Sequence, residues 1–200
     1  MENCISLTGL DVDSPLQAGD IDWERKVKPG RDTRLLNEWA RLHEACAASD
    51  EVSYTVSKVN TSGLPVAYEL VFRIRSITGV ENADTQGLQK PVFGDRHVLQ
   101  ISLPNNYPAA NGGYPAFKFV TDVWHPNVRY FGDFKGRVCL NVDDCVTSTY
   151  LTDHVATIAG YLRYTDYHAR NEHPYPEDRT VAQWVIEQGE PHGWTKLVES

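Results

Sequence analysis

The hydrophobic period of this chain changes twice, and those changes bound the fold more tightly than any other feature. Leu35, Leu36, Trp39, Leu42 and Cys46 recur at helical spacing, with Arg34, Glu38 and Arg41 on the other side. The pattern predicts a helix over 33–48, with Asp32 as its cap. From Ser53 the period drops to two. The segment 53–59 alternates, and 67–77 sets Tyr68, Leu70, Phe72 and Ile74 against Glu69, Arg73 and Arg75. The run 97–103 groups His97, Leu99, Ile101 and Leu103, and Phe117 to Val120 forms a fourth, shorter run. Connections rich in Gly, Pro and Asn fit an antiparallel meander. Past residue 150 the helical period returns, with Thr152 as cap for Val155, Ile158, Ala159 and Leu162. A last helix is expected near 178–188, with Val181, Trp184 and Val185 as its apolar face. One helix, four strands and two C-terminal helices make a segregated α+β domain. The stretch 121–151 has no strong period, and long irregular segments inside compact domains tend to carry function.

Composition narrows the class. Hydrophobic residues make up 41% of the 200, enough for a full core. No run of about 18 apolar residues exists, so no transmembrane helix is expected, and MENCISLTGL lacks the basic start of a secretory leader. The formal net charge of −8 argues against nucleic acid as a partner. Glu2, Asp11, Asp13, Asp20, Asp22 and Glu24 precede the first Lys or Arg, so residues 1–30 read as an acidic extension and 31–200 as the domain. Lys28-Pro29-Gly30 is the expected hinge. The extension is either a solvated tail or a docking arm for a partner. Four cysteines, at 4, 46, 139 and 145, match no zinc spacing and are too sparse for a disulfide scaffold. A reducing, cytoplasmic setting follows, with no metal, no membrane partner and one potentially reactive thiol.

The irregular stretch holds His125-Pro126-Asn127 and, twelve residues after the Asn, Cys139 within Gly136-Arg137-Val138-Cys139-Leu140. Upstream lie Tyr107-Pro108 and Tyr114-Pro115. In this order, after a helix and a strand meander, these motifs resemble the ubiquitin-conjugating enzymes over residues 33–188. The resemblance implies the ubiquitin-conjugating fold and a cofactor-free thioester chemistry. A ubiquitin-like protein would pass from an activating enzyme to Cys139, and from there to an amine on a target protein. It gives Asn127 the role of oxyanion donor or loop-orderer, and His125 a structural role. The residue chemistry agrees: a thiolate is intrinsically nucleophilic, and a carboxamide can donate to a developing oxyanion.

Departures accompany the match. Eleven residues separate Asn127 from Cys139, about four more than usual, and bring Tyr130, Phe131 and Phe134, as a rim for the thiol or as the loop's own packing. The loop Ala109 to Gly113 and the segment Thr147 to Tyr150 lack the bulky apolar anchors of a ligase-binding surface, leaving a ligase uncertain. These features resemble the prokaryotic relatives more than a eukaryotic housekeeping member. Where relatives place an Asp before a Pro, this chain has His173, with Glu172 before it; an imidazole suits a base at neutral pH. Asp143 and Asp144 read as a solvated pair, Cys145 as a buried thiol and His97 as a core residue. Two rivals stand beside the transferase: an inactive variant that only binds a ubiquitin-like protein, and a cysteine hydrolase pairing Cys139 with a histidine.

Overall fold

The computed structural model describes residues 23, 24, 26–109, 113–140 and 149–197. The acidic stretch 1–22, Cys4, Asp143, Asp144 and Cys145 lie outside the described residues. Element order is α1 (Arg31–Ala47), β1 (Val52–Val59), β2 (Pro65–Phe72), β3 (Ser76–Val80), β4 (Pro91–Gly94), β5 (His97–Ser102), β6 (Ala116–Phe119), α2 (Leu151–Leu162) and α3 (Arg179–Trp184). A π-type turn, Val185–Gly189, continues α3. The architecture is α+β, with a four-stranded antiparallel sheet and helices, and is compatible with the ubiquitin-conjugating fold.

The sheet runs β1-β2-β5-β6, and β3-β4 forms a separate two-stranded hairpin between β2 and β5. The alternating run 67–77 is therefore two strands, not one. The chain leaves the sheet after Phe72, where the Arg73 N–H donates to Glu51 O at 2.6 Å, and resumes pairing at Ser76 with a new partner. Period-two alternation carries through such a corner, because each half buries its own apolar face. Leu35 and Leu42 of α1, Tyr68, Leu70 and Phe72 of β2, Leu99 and Ile101 of β5, and Leu151 and Ile158 of α2 share one core. Ile77, Trp124, Tyr164, Val181, Trp184 and Val185 form a second cluster.

Helix starts differ from expectation in an informative way. The α1 cap position is Gly30, not Asp32, whose carboxylate instead accepts from Asn60 and Ser62 at the β1–β2 turn. Tyr150, not Thr152, begins α2, and its N–H donates to the Asp153 carboxylate at 2.8 Å. Glu38, expected on the outer face of α1, is fully buried. Its carboxylate pairs with the Arg34 guanidinium at 2.7 Å, accepts from the Tyr107 hydroxyl, and accepts from the Leu151 N–H at 2.8 Å. An acid from α1 thus satisfies an orphan donor at the N-terminus of α2, where the helix dipole favours negative charge. Breaking a buried, hydrogen-bonded pair from one side costs about 3–5 kcal/mol. Glu38→Ala should lose about that much in urea unfolding, and Glu38→Gln, which keeps one carbonyl acceptor but sets an NH2 against the other donor, should lose less.

Candidate active site

The segment from Asn127 to Cys139 is a short hairpin laid against the edge of β6. Asn127 O accepts from the Cys139 N–H at 2.8 Å, and Arg129 and Arg137 pair through an N–H to O contact of 2.8 Å. The Cys139-bearing arm also binds β6: the Phe119 N–H donates to Gly136 O at 2.8 Å and the Val138 N–H to Phe117 O at 3.1 Å. Gly136 sits at φ +86°, and a Cβ there would meet Phe119 O at 2.0 Å, so this position tolerates no side chain. Alternation then follows. Val138 and Leu140 are buried in the core, Arg137 is exposed and Cys139 is half-buried. Residues 131–136 form the hairpin tip.

Tip aromatics divide between the two expectations. Tyr130 packs on Trp124 with ring centroids 4.7 Å apart, as part of the second core cluster. Phe131 and Phe134 are exposed, and the Arg137 guanidinium lies 4.7 Å from the Phe134 ring centre. What fixes the tip is Asp178. Its carboxylate caps α3 through the Thr180 and Val181 N–H groups, and accepts the Tyr130 N–H at 2.9 Å and the Phe131 N–H at 3.4 Å.

His125 is completely buried and stacked on Tyr161 at 4.8 Å. Its Nδ1 accepts the Asn127 N–H at 3.1 Å, so Nε2 carries the proton and donates to Asp166 O at 3.2 Å. Both nitrogens are committed to backbone. Burial pushes its pKa down to about 3. The neutral form is therefore the folded form, as the structural role requires. The Asn127 carboxamide is 2% exposed, and its Oδ1 accepts the His168 N–H at 2.9 Å. Anchored by its oxygen, the amide retains Nδ2 as its donor end.

Burial raises the Cys139 thiol above its ordinary pKa; the Glu177 carboxylate raises it further, and Arg137 opposes both. Glu177 is held by Arg137 at 2.6 Å and Arg129 at 3.3 Å. Sequence reasoning passed over Glu177, because nothing in its neighbourhood marks it; only the hairpin brings Arg129 and Arg137 to one side and Glu177 between them. His173 is exposed, with its ring 6.4 Å from that of Tyr175. Cys46, the other described free thiol, is buried and pushed up to about 12, which makes it inert. Among the described residues no helix is long and apolar enough to cross a membrane, and no group of three His, Cys, Asp or Glu could hold a metal ion.

No family model matches the chain. Over 52 residues it is 35% identical to ubiquitin-conjugating enzyme E2 K of Homo sapiens and of Bos taurus, and to ubiquitin-conjugating enzyme E2-22 kDa of Drosophila melanogaster. That match covers 26% of this chain and 23% of each relative. The chain thus spans less than a quarter of the length of the curated relatives it matches. It bears a partial similarity to ubiquitin-conjugating enzymes.

Two measurements test this electrostatic description. Since Glu177 raises the thiol and Arg137 lowers it, Glu177→Gln should shift the pH dependence of Cys139 alkylation to lower pH, and Arg137→Ala to higher pH. An unshifted profile in both variants would refute the charge coupling. For His125, the folded pKa lies below the unfolded value of about 6.5, so its stabilisation is present above that pH and fades as pH falls toward about 3. Between those limits the wild-type chain should lose stability by up to one more proton's slope than His125→Asn. His97 and His43, also lowered by burial, contribute the same sign to both proteins.

Proposed function

We propose that this protein is a conjugating enzyme that carries a ubiquitin-like protein as a thioester on Cys139 and transfers it to an amine. The supporting observation is the 2.8 Å backbone bond that pairs Asn127, whose carboxamide is anchored, with Cys139, whose thiol is half-buried. The partial similarity to conjugating enzymes points the same way. In loading, the Cys139 thiolate attacks the acyl carbon of the modifier held on the activating enzyme and expels that enzyme's thiolate. In transfer, the acceptor amine adds to the Cys139 thioester carbonyl, Nδ2 of Asn127 donates to the oxyanion, and collapse expels the Cys139 thiolate as the nitrogen loses its proton. His173 is assigned to receive that proton. A raised thiol pKa means a smaller thiolate fraction and a poorer leaving group, which guards the carried thioester against casual exchange.

The rivals fare less well on the same geometry. A hydrolase needs an imidazole in hydrogen-bond reach of the thiol; the Cys139 thiol instead donates to Leu140 O at 3.8 Å, and both nitrogens of His125, the histidine of the motif, are bonded to backbone. A binding-only variant has no use for a thiol kept outside the core between the buried Val138 and Leu140. The experiment is incubation with an activating enzyme, nucleotide and ubiquitin-like protein. Cys139 should give a reducible adduct, Cys139→Ser at most a hydroxylamine-labile oxyester, and Cys139→Ala none. A reducible adduct in Cys139→Ala would move the nucleophile elsewhere. Asn127→Ala should slow discharge to lysine by roughly 100- to 1,000-fold while loading falls far less. Equal losses in both steps would return Asn127 to a loop-ordering role. If His173 is the base, His173→Ala should slow discharge to lysine without affecting loading.

A further inference from the structure

The chain that follows α2 does more than connect it to α3. The His168 N–H donates to Asn127 Oδ1 at 2.9 Å, and Asp166 O accepts from His125 Nε2 at 3.2 Å. The aim of the Asn127 carboxamide is therefore only as well defined as the position of residues 166–168. Residues 165–178 form neither helix nor strand, so no ladder of their own holds them. Their anchor has to come from another element.

Glu190 supplies it. Its two carboxylate oxygens are divided between the residues that flank His168: Oε1 accepts from the Tyr167 hydroxyl at 3.1 Å, and Oε2 from the Arg170 guanidinium at 2.8 Å. Glu190 is itself set by backbone. Its N–H donates to Val185 O at 2.8 Å, and its O accepts the Gly193 N–H at 3.1 Å. The first of these bonds closes the π-type turn Val185–Gly189. One extra residue in a helical turn rotates everything after it by about 100°, and such insertions occur frequently at functional sites. The irregularity thus sets the direction in which the Glu190 side chain leaves the helix.

The two bonds are not equal. The Arg170 side chain is 55% exposed and that of Glu190 28%, so water screens their pair and it restrains little. Tyr167 is better placed. Its ring packs on Tyr164 at 5.6 Å and stands at 89° to the His125 ring, 6.4 Å away. Burial raises the pKa of its hydroxyl, the bond to Glu190 raises it further, and a bond to Thr195 opposes both. The hydroxyl therefore stays protonated at neutral pH and remains the donor. We propose that Glu190 is a positioning residue for amine transfer, acting through the Tyr167 hydroxyl on the backbone that orients Asn127. The inference rests on the transfer reading above and adds to it a carboxylate outside the Asn127–Cys139 hairpin. An oxyanion donor has to be aimed before the charge develops, and a loop free to shift would leave Asn127 Nδ2 misdirected for part of the time.

The test uses the full chain. Glu190→Ala should slow discharge of the Cys139 thioester about tenfold at saturating lysine, the scale of one charge-assisted hydrogen bond, with KM for lysine and the loading rate unchanged. Tyr167→Phe should reproduce most of that loss, and Arg170→Ala should cost less than about twofold. Glu190→Gln, which keeps a carbonyl for the Tyr167 hydroxyl, should recover discharge to within about threefold of the wild type. In an Asn127→Ala background Glu190→Ala should add less than about twofold, because residues that act through one another are not additive. Hydrogen exchange of the His168 amide needs no transfer reaction. It should quicken at least about fivefold in Glu190→Ala and in Tyr167→Phe, while the Ile158 amide of α2 exchanges as in the wild type. A full loss persisting in the Asn127→Ala background, an equal loss in loading, or an unchanged His168 exchange would each overturn the proposal. A wild-type chain that forms no adduct would instead sink the transfer reading, and the exchange rates would still decide whether Glu190 holds the backbone that orients Asn127.

Discussion

The carboxylate of Asp178 holds together the parts on which the candidate site depends. Buried to 2%, it accepts four backbone N–H groups: two at the first turn of α3 and two at the tip of the Asn127–Cys139 hairpin. An ionised carboxylate has about four lone-pair directions, and here each finds a donor. The Asp178 N–H in turn donates to Pro126 O at 3.0 Å, beside Asn127. One residue therefore ties α3 to the start and the turn of the Asn127–Cys139 hairpin. Without it, the turn of the hairpin at Tyr130 and Phe131 would lose its tie to α3.

Glu38 applies the same physics at the other end of the segment. It satisfies the first turn of α2 from α1 and binds the Tyr107 hydroxyl of the Tyr-Pro loop. Residues 127–140 thus run between two helix N-termini, each of which receives a buried acid. An oriented dipole and orphan donors make such termini good hosts for a carboxylate, and burial strengthens the interaction by excluding water. Arg34 keeps Glu38 compensated and lies 4.0 Å from the Tyr150 ring centre, with Arg41 at 3.8 Å on the same ring. Beside the apolar core that α1 and α2 share, the start of α2 therefore meets α1 through cations, an aromatic and an acid.

Periodicity made the helices and the main strands legible, because apolar faces must turn toward one core whatever surrounds them. The corner at Arg73 to Arg75 and the β3-β4 hairpin were not legible, since two short strands that each alternate read as one long one. Glu38 was misplaced for a related reason: a charge at a helical position is read as solvated, and only the convergence of Arg34, Tyr107 and Leu151 from three separate elements makes its burial tolerable. Cys139, Asn127 and His125 stood out through motif spacing. Glu177 did not, because its importance lies in long-range pairing with Arg129 and Arg137 across about 40 residues of chain. The motif position that the fold explains most directly is Gly136.

Gly136 shows how a backbone constraint sets chemistry. Its approach to Phe119 O leaves no room for a Cβ, so the arm docks on β6 at a single register. Once that register is fixed, strand alternation decides every following side chain: Arg137 out, Val138 in, Cys139 out, Leu140 in. A slip of one residue would bury the thiol and expose two apolar anchors, which the core would resist at about 1.5–3 kcal/mol per side chain. Half-burial is then what remains for Cys139, since its neighbours on both sides are pulled inward. That half-burial, with Glu177 nearby, is also what raises the thiol pKa. The accessibility of the sulfur and its reluctance to ionise thus share one origin, the close contact of a glycine with a carbonyl on the neighbouring strand.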